Sequence, residues 1–173
     1  MGGETELQKA YESILGQHFE AAVEWFLRAI EQDPDNPDYH YKLSITYARS
    51  NKLAEALRHA RTAKRLAPAQ PEYDAHLKTL EAKDLAVQAE RLIDQNKRGC
   101  LLAVAYLRQA LELDPLEESY YVLLAAAFAG AEEYREAVHT LQELLRLDPE
   151  HGTAQQLLEQ YKAKLATYLE DKR

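Results

Sequence analysis

Four near-copies of one short phrase decide the fold of this chain. The phrase mixes apolar and charged residues and closes on proline, and it occurs as AIEQDP at 29–34, AKRLAP at 63–68, ALELDP at 110–115 and LLRLDP at 144–149. Proline lacks an amide donor and pushes the residue before it out of helical geometry, so each copy predicts the end of a helix. The four prolines are 34, 47 and 34 residues apart. A period of this length predicts an array of repeated helical units.

The segments between these phrases are long and carry apolar residues at helical spacing. The chain has only six prolines and six glycines, which cluster at the ends of these segments, and it shows little of the alternation typical of strands. An amphipathic helix must bury its apolar stripe against another element. We therefore predict an all-α protein built of stacked helix pairs.

Two stretches match along their length when their closing prolines are aligned. Residues 37–68 and 118–149 share a leucine followed by a small residue, then an aromatic and a second small residue, at Leu43, Ser44, Tyr47 and Ala56 and at Leu124, Ala125, Phe128 and Ala137. This pattern resembles the tetratricopeptide repeat (TPR), a helix-turn-helix unit of about 34 residues that closes on proline. The resemblance extends to the repeats that end at Pro34 and Pro115, although glycines of the family are replaced by Ser44, Asn51, Ala125 and Glu132.

The resemblance implies a right-handed α-solenoid of about four repeats, in a single domain that covers residues 1–173. Repeats are expected at approximately 3–36, 37–70, 71–117 and 118–151, with a capping helix at 152–171. Stacked repeats of this kind bury a continuous core between nearest neighbours. A small residue is expected where the two helices of each repeat approach closely, at Ala22, Ala56, Ala103 and Ala137.

The third repeat is longer than the others, because the interval from Pro68 to Pro115 exceeds 34 residues by 13. The surplus lies in residues 71–96, which contain no glycine and no proline after Pro71. We predict one extended helix here, whose first half packs on the second repeat while its second half belongs to the third. Two shorter helices with a break near 82–84 are the alternative.

Composition limits the partners of the chain. Its formal net charge of −8 opposes the counterion release that dominates nucleic-acid binding, so we expect no DNA or RNA partner. The positive charge is concentrated at residues 42–65, where seven basic residues face one acidic residue. A single cysteine suits a reducing compartment, and no segment is apolar for long enough to span a membrane. We expect a cytoplasmic protein without membrane insertion.

The residue patterns that could carry catalysis are incomplete. Glu136 and His139 have the Glu-x-x-His spacing of a di-iron site, but such a site needs two pairs and two further glutamates. His59 and His76 each follow a glutamate by four residues, which favours weak pairing on a helix surface. Cys100 has basic neighbours but occupies a position where these repeats bury an aromatic residue, so we expect a buried structural thiol. We predict no enzyme, no metal site and no cofactor.

In TPR proteins the first helix of each repeat lines a concave groove that binds the ligand. Carried over position by position, the resemblance places nine residues in this groove, namely Leu7, Tyr11, Tyr41, Lys42, Ile45, Arg49, Val122, Leu123 and Ala126. Aromatic, aliphatic and basic groups in one groove suit a peptide or helix with apolar anchors and acidic character. The alternative for Tyr11, Tyr41 and Ile45 is that they only fill the packing between repeats.

The resulting prediction is a non-enzymatic interaction module, an adaptor or scaffold for a protein or peptide partner. A client-specific or secretion-type chaperone is the first alternative, because export chaperones of similar length use such repeats. RNA binding through the related helical repeats of about 35 residues is disfavoured by the 34-residue period and the acidic balance. Homo-oligomerisation is left open.

Overall fold

The computed structural model describes residues 2–93 and 95–171, and within these ranges all regular secondary structure is helical. The helices in chain order are α1 (Gly2–Leu15), α2 (Phe19–Gln32), α3 (Pro37–Arg49), α4 (Leu53–Leu66), α5 (Pro71–Ile93), α6 (Lys97–Leu113), α7 (Glu118–Gly130), α8 (Tyr134–Leu147) and α9 (Gly152–Glu170). The all-α prediction is confirmed.

Four helices end where the repeated phrase predicts. Each stops two residues before the proline of its phrase, at Gln32, Leu66, Leu113 and Leu147. Helical geometry is disfavoured for the residue before proline, so the helix does not continue into another turn. The next helix after the first phrase, α3, begins with Pro37, and the Asn36 side chain accepts hydrogen bonds from the Asp38 and Tyr39 amides. The phrase therefore ends one helix and leaves only a short connection to the next.

The helices form two compact units, unit 1 (Met1–Glu81) and unit 2 (Ala82–Arg173). In unit 1, α1 packs on α2, α2 on α3, and α3 on α4. In unit 2, α6 packs on α7, α7 on α8, and α8 on α9. Fully buried side chains anchor each core, Phe26 and Leu43 in unit 1 and Leu107, Leu141 and Leu144 in unit 2.

One helix, α5, contributes residues to both units. It runs without a break from Pro71 to Ile93, so the extended helix is confirmed over these residues and the alternative break near 82–84 is wrong. The first half belongs to the core of unit 1, through Leu77 and Leu80, and the second half to that of unit 2, through Ala82, Ala86 and Ala89.

The end of α5 lies earlier than the predicted residue 96. The helix ends at Ile93, and Asp94 lies outside the described residues. Asn96 has extended backbone geometry and caps α6, its side chain accepting a hydrogen bond from the Gly99 amide. Asparagine competes with the helix in this way because its short side chain bonds to nearby backbone groups. A stretch without glycine or proline was therefore not sufficient evidence for a helix that continues to residue 96.

The small residues expected at the close approach of paired helices are fully buried. None of their surface is exposed, at Ala22, Ala56, Ala103 or Ala137. Protein interiors are packed densely, so a larger side chain at such a position must displace a neighbouring helix. Complete burial of alanine at these positions is what a close approach of paired helices requires.

The substitutions Ala56→Leu in unit 1 and Ala137→Leu in unit 2 should each destabilise the protein by about 1–3 kcal/mol, because the larger side chain overpacks a closed interface. Urea denaturation followed by circular dichroism measures the change. Ala54→Leu is the matched control, since Ala54 is exposed on α4 next to the same interface. Similar midpoints for Ala54→Leu and Ala56→Leu would contradict the close approach.

Three turns between paired helices hold a residue with a left-handed backbone. Gln17, Asn51 and Glu132 have φ angles of 59°, 58° and 64°. The amide of the next residue then bonds back to the helix, as His18 does to the Ser13 carbonyl at 2.8 Å. This is the helix ending that usually carries glycine, because a side chain disfavours the left-handed region by about 1–2 kcal/mol. The non-glycine residues at these turns are strained.

The substitution Gln17→Gly should stabilise unit 1 by about 0.5–1 kcal/mol, since glycine relieves this strain at some entropic cost. Asn51→Gly should gain less, because asparagine tolerates the left-handed region better than glutamine. Urea denaturation of both variants at neutral pH measures the two gains. Destabilisation by Gln17→Gly would contradict the role of strain at this turn.

Candidate functional site

Helix α3 has one buried side and one accessible side. At about 100° of rotation per residue, Tyr41, Lys42, Ile45 and Arg49 fall within one arc of about 100°. The opposite side holds the buried residues of this helix, His40, Leu43, Ser44, Thr46 and Tyr47. The four residues of the accessible arc, together with Tyr11 of α1, are named the unit 1 face.

Tyr11 and Lys42 are brought together from two different helices. The Lys42 ammonium lies 5.4 Å from the centre of the Tyr11 ring, and it also pairs with Asp38 one turn earlier on α3. Burial alone would lower the pKa of Lys42, but hydrogen bonds to Asp38 and Tyr11 raise it. Tyr11 is 40% exposed, and its ring packs edge-on against Phe26. Lys42 is therefore a cation whose charge is already partnered, beside an aromatic ring that is partly open.

Tyr41 contacts helix α5. Its ring lies 4.7 Å from the ring of Tyr73 and 5.3 Å from that of His76, the latter in an edge-to-face arrangement. Tyr41 itself is half-buried, whereas Tyr73 is buried. Tyr41 therefore both supports the packing of α5 in unit 1 and contributes part of its ring to the accessible side.

Ile45 and Arg49 continue the same arc of α3. Ile45 is half-buried, and Arg49 is exposed at the last turn of the helix. None of the ion pairs found among the described residues includes Arg49. Arg49 thus supplies the unit 1 face with a cation that has no carboxylate partner in the described part of the chain.

The remaining predicted groove residues lie elsewhere. Leu7 is half-buried and packs against the core of unit 1. Val122, Leu123 and Ala126 lie within one arc of α7 in unit 2 and are half-buried, and the first two pack against the core of that unit. The structure therefore brings together Tyr11 and Lys42, and it places the three α7 residues in a different unit.

Most of the basic stretch at 42–65 is neutralised within unit 1. Four of its cations form ion pairs, Lys42 with Asp38, Lys52 with Glu20, Arg61 with Glu81 and Lys64 with Asp74. Arg49, Arg58 and Arg65 are exposed. Arg58 and Arg65 lie on α4 and Arg49 on α3, so little of the charge counted in the sequence is concentrated on one surface.

A buried polar cluster behind the unit 1 face was missed by the sequence analysis. The surface pairing expected for His59 is wrong, because this ring is buried and its Nδ1 atom lies 2.9 Å from Nδ1 of His40. His76 is half-buried, with Nε2 at 2.9 Å from the Ser44 hydroxyl oxygen. One signal was available, since His59 follows the buried Ala56 by three residues and therefore lies on the apolar stripe of α4.

The thiol of Cys100 is buried, as predicted. It donates to the carbonyl of Ile93 at 3.0 Å, and only 2% of the residue is exposed. A Cβ atom added to Gly130 would come within 2.6 Å of its sulfur, so glycine is needed there for the close approach of α7 to α6. The position that holds an aromatic residue in related repeats is filled here by cysteine and its neighbours.

The Glu-x-x-His pair lies at the surface of unit 2. Glu136 and His139 are exposed on α8 and line an open cavity together with Arg108, Tyr121 and Phe128. Across the described residues, no group of three or more His, Cys, Asp or Glu side chains could hold a metal ion. Within the same residues, no helix has the length and apolar character needed to cross a bilayer.

Comparison with known sequences identifies one repeat directly. A family model described as a TPR repeat matches residues 15–51, which run from the end of α1 to the turn after α3. This match covers the helix that carries most of the unit 1 face. A search of curated protein sequences gives no significant match.

Solved structures extend the likeness over most of the chain. A MamA structure (41-end) from Desulfovibrio magneticus RS-1 is 17% identical with a TM-score of 0.57, covering 95% of this chain and 85% of that one. Another MamA structure is 16% identical with a TM-score of 0.56, covering 98% and 90%. YrrB, described as a TPR protein with an unusual peptide-binding site, is 19% identical with a TM-score of 0.52, covering 93% and 76%. The fold of this chain is that of TPR proteins.

Proposed function

We propose that this tetratricopeptide-repeat protein is a non-enzymatic interaction module that binds a peptide or helix of a protein partner through the unit 1 face. The observation that carries the proposal is the set of side chains this face leaves accessible, which are the Tyr11 ring, the half-buried Ile45 and the exposed Arg49. Aromatic and arginine side chains dominate the energetics of protein interfaces. A protein of the same fold, YrrB, is described as having a peptide-binding site.

The charges of the face refine the expected partner. Lys42 already pairs with Asp38 and contacts Tyr11, whereas Arg49 has no ion pair among the described residues. A partner carboxylate gains most from a cation that has not been neutralised. We therefore propose a ligand with an apolar anchor beside one acidic group, rather than a strongly acidic segment.

The wider proposal keeps the repeat organisation expected from the sequence. The pairs α1–α2, α3–α4, α5–α6 and α7–α8 are taken as the repeats of a single domain and α9 as the cap, with Leu7, Val122, Leu123 and Ala126 as further ligand contacts. The chain is proposed to act in the cytoplasm as an adaptor. A client-specific chaperone is the second candidate, supported by the same exposed apolar groups, and suppression of client aggregation would distinguish it.

Charge reversal at Arg49 should weaken binding of an acidic peptide, while the same reversal at Arg65 should not. Both arginines are exposed, one on the unit 1 face and one on α4. Arg65 is a better control than Arg61, because Arg61 pairs with Glu81 and its reversal would add repulsion inside unit 1. Peptides selected from a random display library on the wild-type chain are titrated against Arg49→Glu and Arg65→Glu by calorimetry. If only the Arg65→Glu variant lost affinity for the peptides, the binding site would lie on α4 and not on the unit 1 face.

The substitution Ile45→Glu should remove an apolar anchor and leave the fold intact, because Ile45 is only half-buried. An anchor worth about 2 kcal/mol corresponds to a loss of affinity of about thirtyfold. Ala54→Glu adds the same charge at an exposed position of α4 and should leave affinity unchanged. Calorimetry with the selected peptides compares the two variants after circular dichroism has confirmed their helicity. Normal binding by a folded Ile45→Glu variant would contradict the proposed site.

A further inference from the structure

Two buried imidazoles join α3 to α4 inside unit 1. His40 and His59 are 8% and 7% exposed, and their rings stack with centres 5.2 Å apart. Their Nδ1 atoms lie 2.9 Å from each other. Tyr47 of α3 also stacks on His59, at 5.7 Å between ring centres. The two helices are therefore connected through a polar contact that is largely buried.

The neighbouring groups fix where the protons of this pair lie. Nε2 of His40 is 3.0 Å from the Pro34 carbonyl oxygen, which can only accept, so this nitrogen carries a proton and donates it. Nδ1 of a neutral His40 is then bare and accepts from Nδ1–H of His59. Nε2 of His59 is bare in turn and accepts from the Arg58 guanidinium at 3.3 Å. In this arrangement each ring donates one hydrogen bond.

An additional proton has no acceptor in this arrangement. On Nδ1 of His40 it would set two N–H groups against each other, and on Nε2 of His59 it would face the Arg58 guanidinium. Burial, aided by His40 and Arg58, lowers the pKa of His59 to about 4. The ion pairs of the described residues supply no carboxylate to either ring. Folded unit 1 therefore binds this proton more weakly than the unfolded chain, where a histidine pKa is about 6.5.

A third histidine of unit 1 is also tied to α3. The buried Ser44 donates its hydroxyl to the Ala56 carbonyl at 2.7 Å, so its oxygen accepts from Nε2–H of His76. The ring of His76 also meets the Tyr41 ring edge-to-face. Burial lowers the pKa of His76. Protonation of His76 therefore disfavours the folded unit in the same direction as protonation of His59.

Unit 2 has the corresponding positions without the imidazoles. Counting 81 residues along the chain, Tyr121 and Thr140 occupy the positions of His40 and His59. The Tyr121 hydroxyl donates to the Pro115 carbonyl, and the Thr140 hydroxyl donates to the Glu136 carbonyl of its own helix. Neither hydroxyl gains a proton between about pH 4 and pH 7. The interior of unit 2 is therefore insensitive to acid at these two positions.

We propose that the buried imidazole pair makes unit 1 an acid-sensitive element, so that mild acid destabilises unit 1 more than unit 2. A histidine whose pKa is lower in the folded state stabilises fully above about pH 6.5 and loses this contribution as the pH falls towards about 4. For His59 alone, the unfolding equilibrium constant of unit 1 rises about twentyfold from pH 7 to pH 5. The inference does not depend on the proposed partner.

The only tryptophan of the chain, Trp25, lies on α2 and therefore reports on unit 1. Urea unfolding of the full chain is followed by tryptophan fluorescence at pH 7 and pH 5. The unfolding equilibrium constant should be at least about twentyfold larger at pH 5. Hydrogen exchange measured by mass spectrometry, corrected for the intrinsic effect of pH, should show lost protection in α3 and α4. The protection of α7 and α8 should be unchanged.

Two double variants separate the imidazoles from other titrating groups. His40→Phe/His59→Phe keeps two stacked rings and removes both partners of the hydrogen bond, a change that is often nearly neutral for stability. His40→Tyr/His59→Thr copies the residues of unit 2. In both variants the unfolding equilibrium constant of unit 1 should no longer show the roughly twentyfold increase between pH 7 and pH 5 that is due to His59. The matched control is His139→Gln at an exposed position of unit 2, which should keep the wild-type response.

Equal pH dependence in the wild-type chain and in a folded double variant would overturn the proposal, as would equal loss of protection in both units. If neither double variant folds, nuclear magnetic resonance titration of the wild-type imidazoles decides the question. A His59 ring that stays neutral down to about pH 5 in the folded chain supports the proposal, and one that takes up a proton near pH 6.5 contradicts it.

Discussion

Close contact between paired helices at alanine is the constraint on which the rest of this structure depends. Ala56 in unit 1 and Ala137 in unit 2 are completely buried, and the helices that carry them lie against α3 and α7. A helix held this closely on one side must turn its remaining residues outward. The accessible arc of α3, from Tyr41 to Arg49, is thus a product of the packing on the other side of the same helix.

The same helical framework carries different interiors in the two units. Behind the accessible arc of α3, unit 1 places Ser44, His40 and His59, whereas the equivalent positions of unit 2 hold Ala125, Tyr121 and Thr140. Buried polar groups stabilise a core only while every hydrogen bond is satisfied. The contact between α3 and α4 therefore depends on the protonation of its own side chains, and the contact between α7 and α8 does not.

The elements that depend on local chemistry were predictable from the sequence. Each of the four helices ends two residues before the proline of its phrase, as the sequence predicted. The alanines expected at close contacts are buried. Both effects depend on the residue itself, so the sequence was enough to predict them. The length of α5 was overestimated by three residues, because the capping role of Asn96 depends on where α6 begins.

For the candidate site, helical spacing was enough to place Tyr41, Lys42, Ile45 and Arg49 on one arc. The partners of these residues were not predictable, because Lys42 finds its aromatic neighbour on another helix and His40 meets His59 across 19 positions of the chain. Spacing describes one helix at a time. Contacts between helices depend on side-chain lengths and tautomers that a pattern does not encode.

The close packing of Gly130 against Cys100 gives unit 2 a chemical reporter of its own. The only thiol of the chain is 2% exposed, and its sulfur fills the space that a side chain at residue 130 would need. Because the thiol is buried in the native packing, a thiol reagent reaches it after the structure around Cys100 opens. The rate of alkylation at Cys100 therefore reports on the opening of unit 2 around this thiol, without any engineered label.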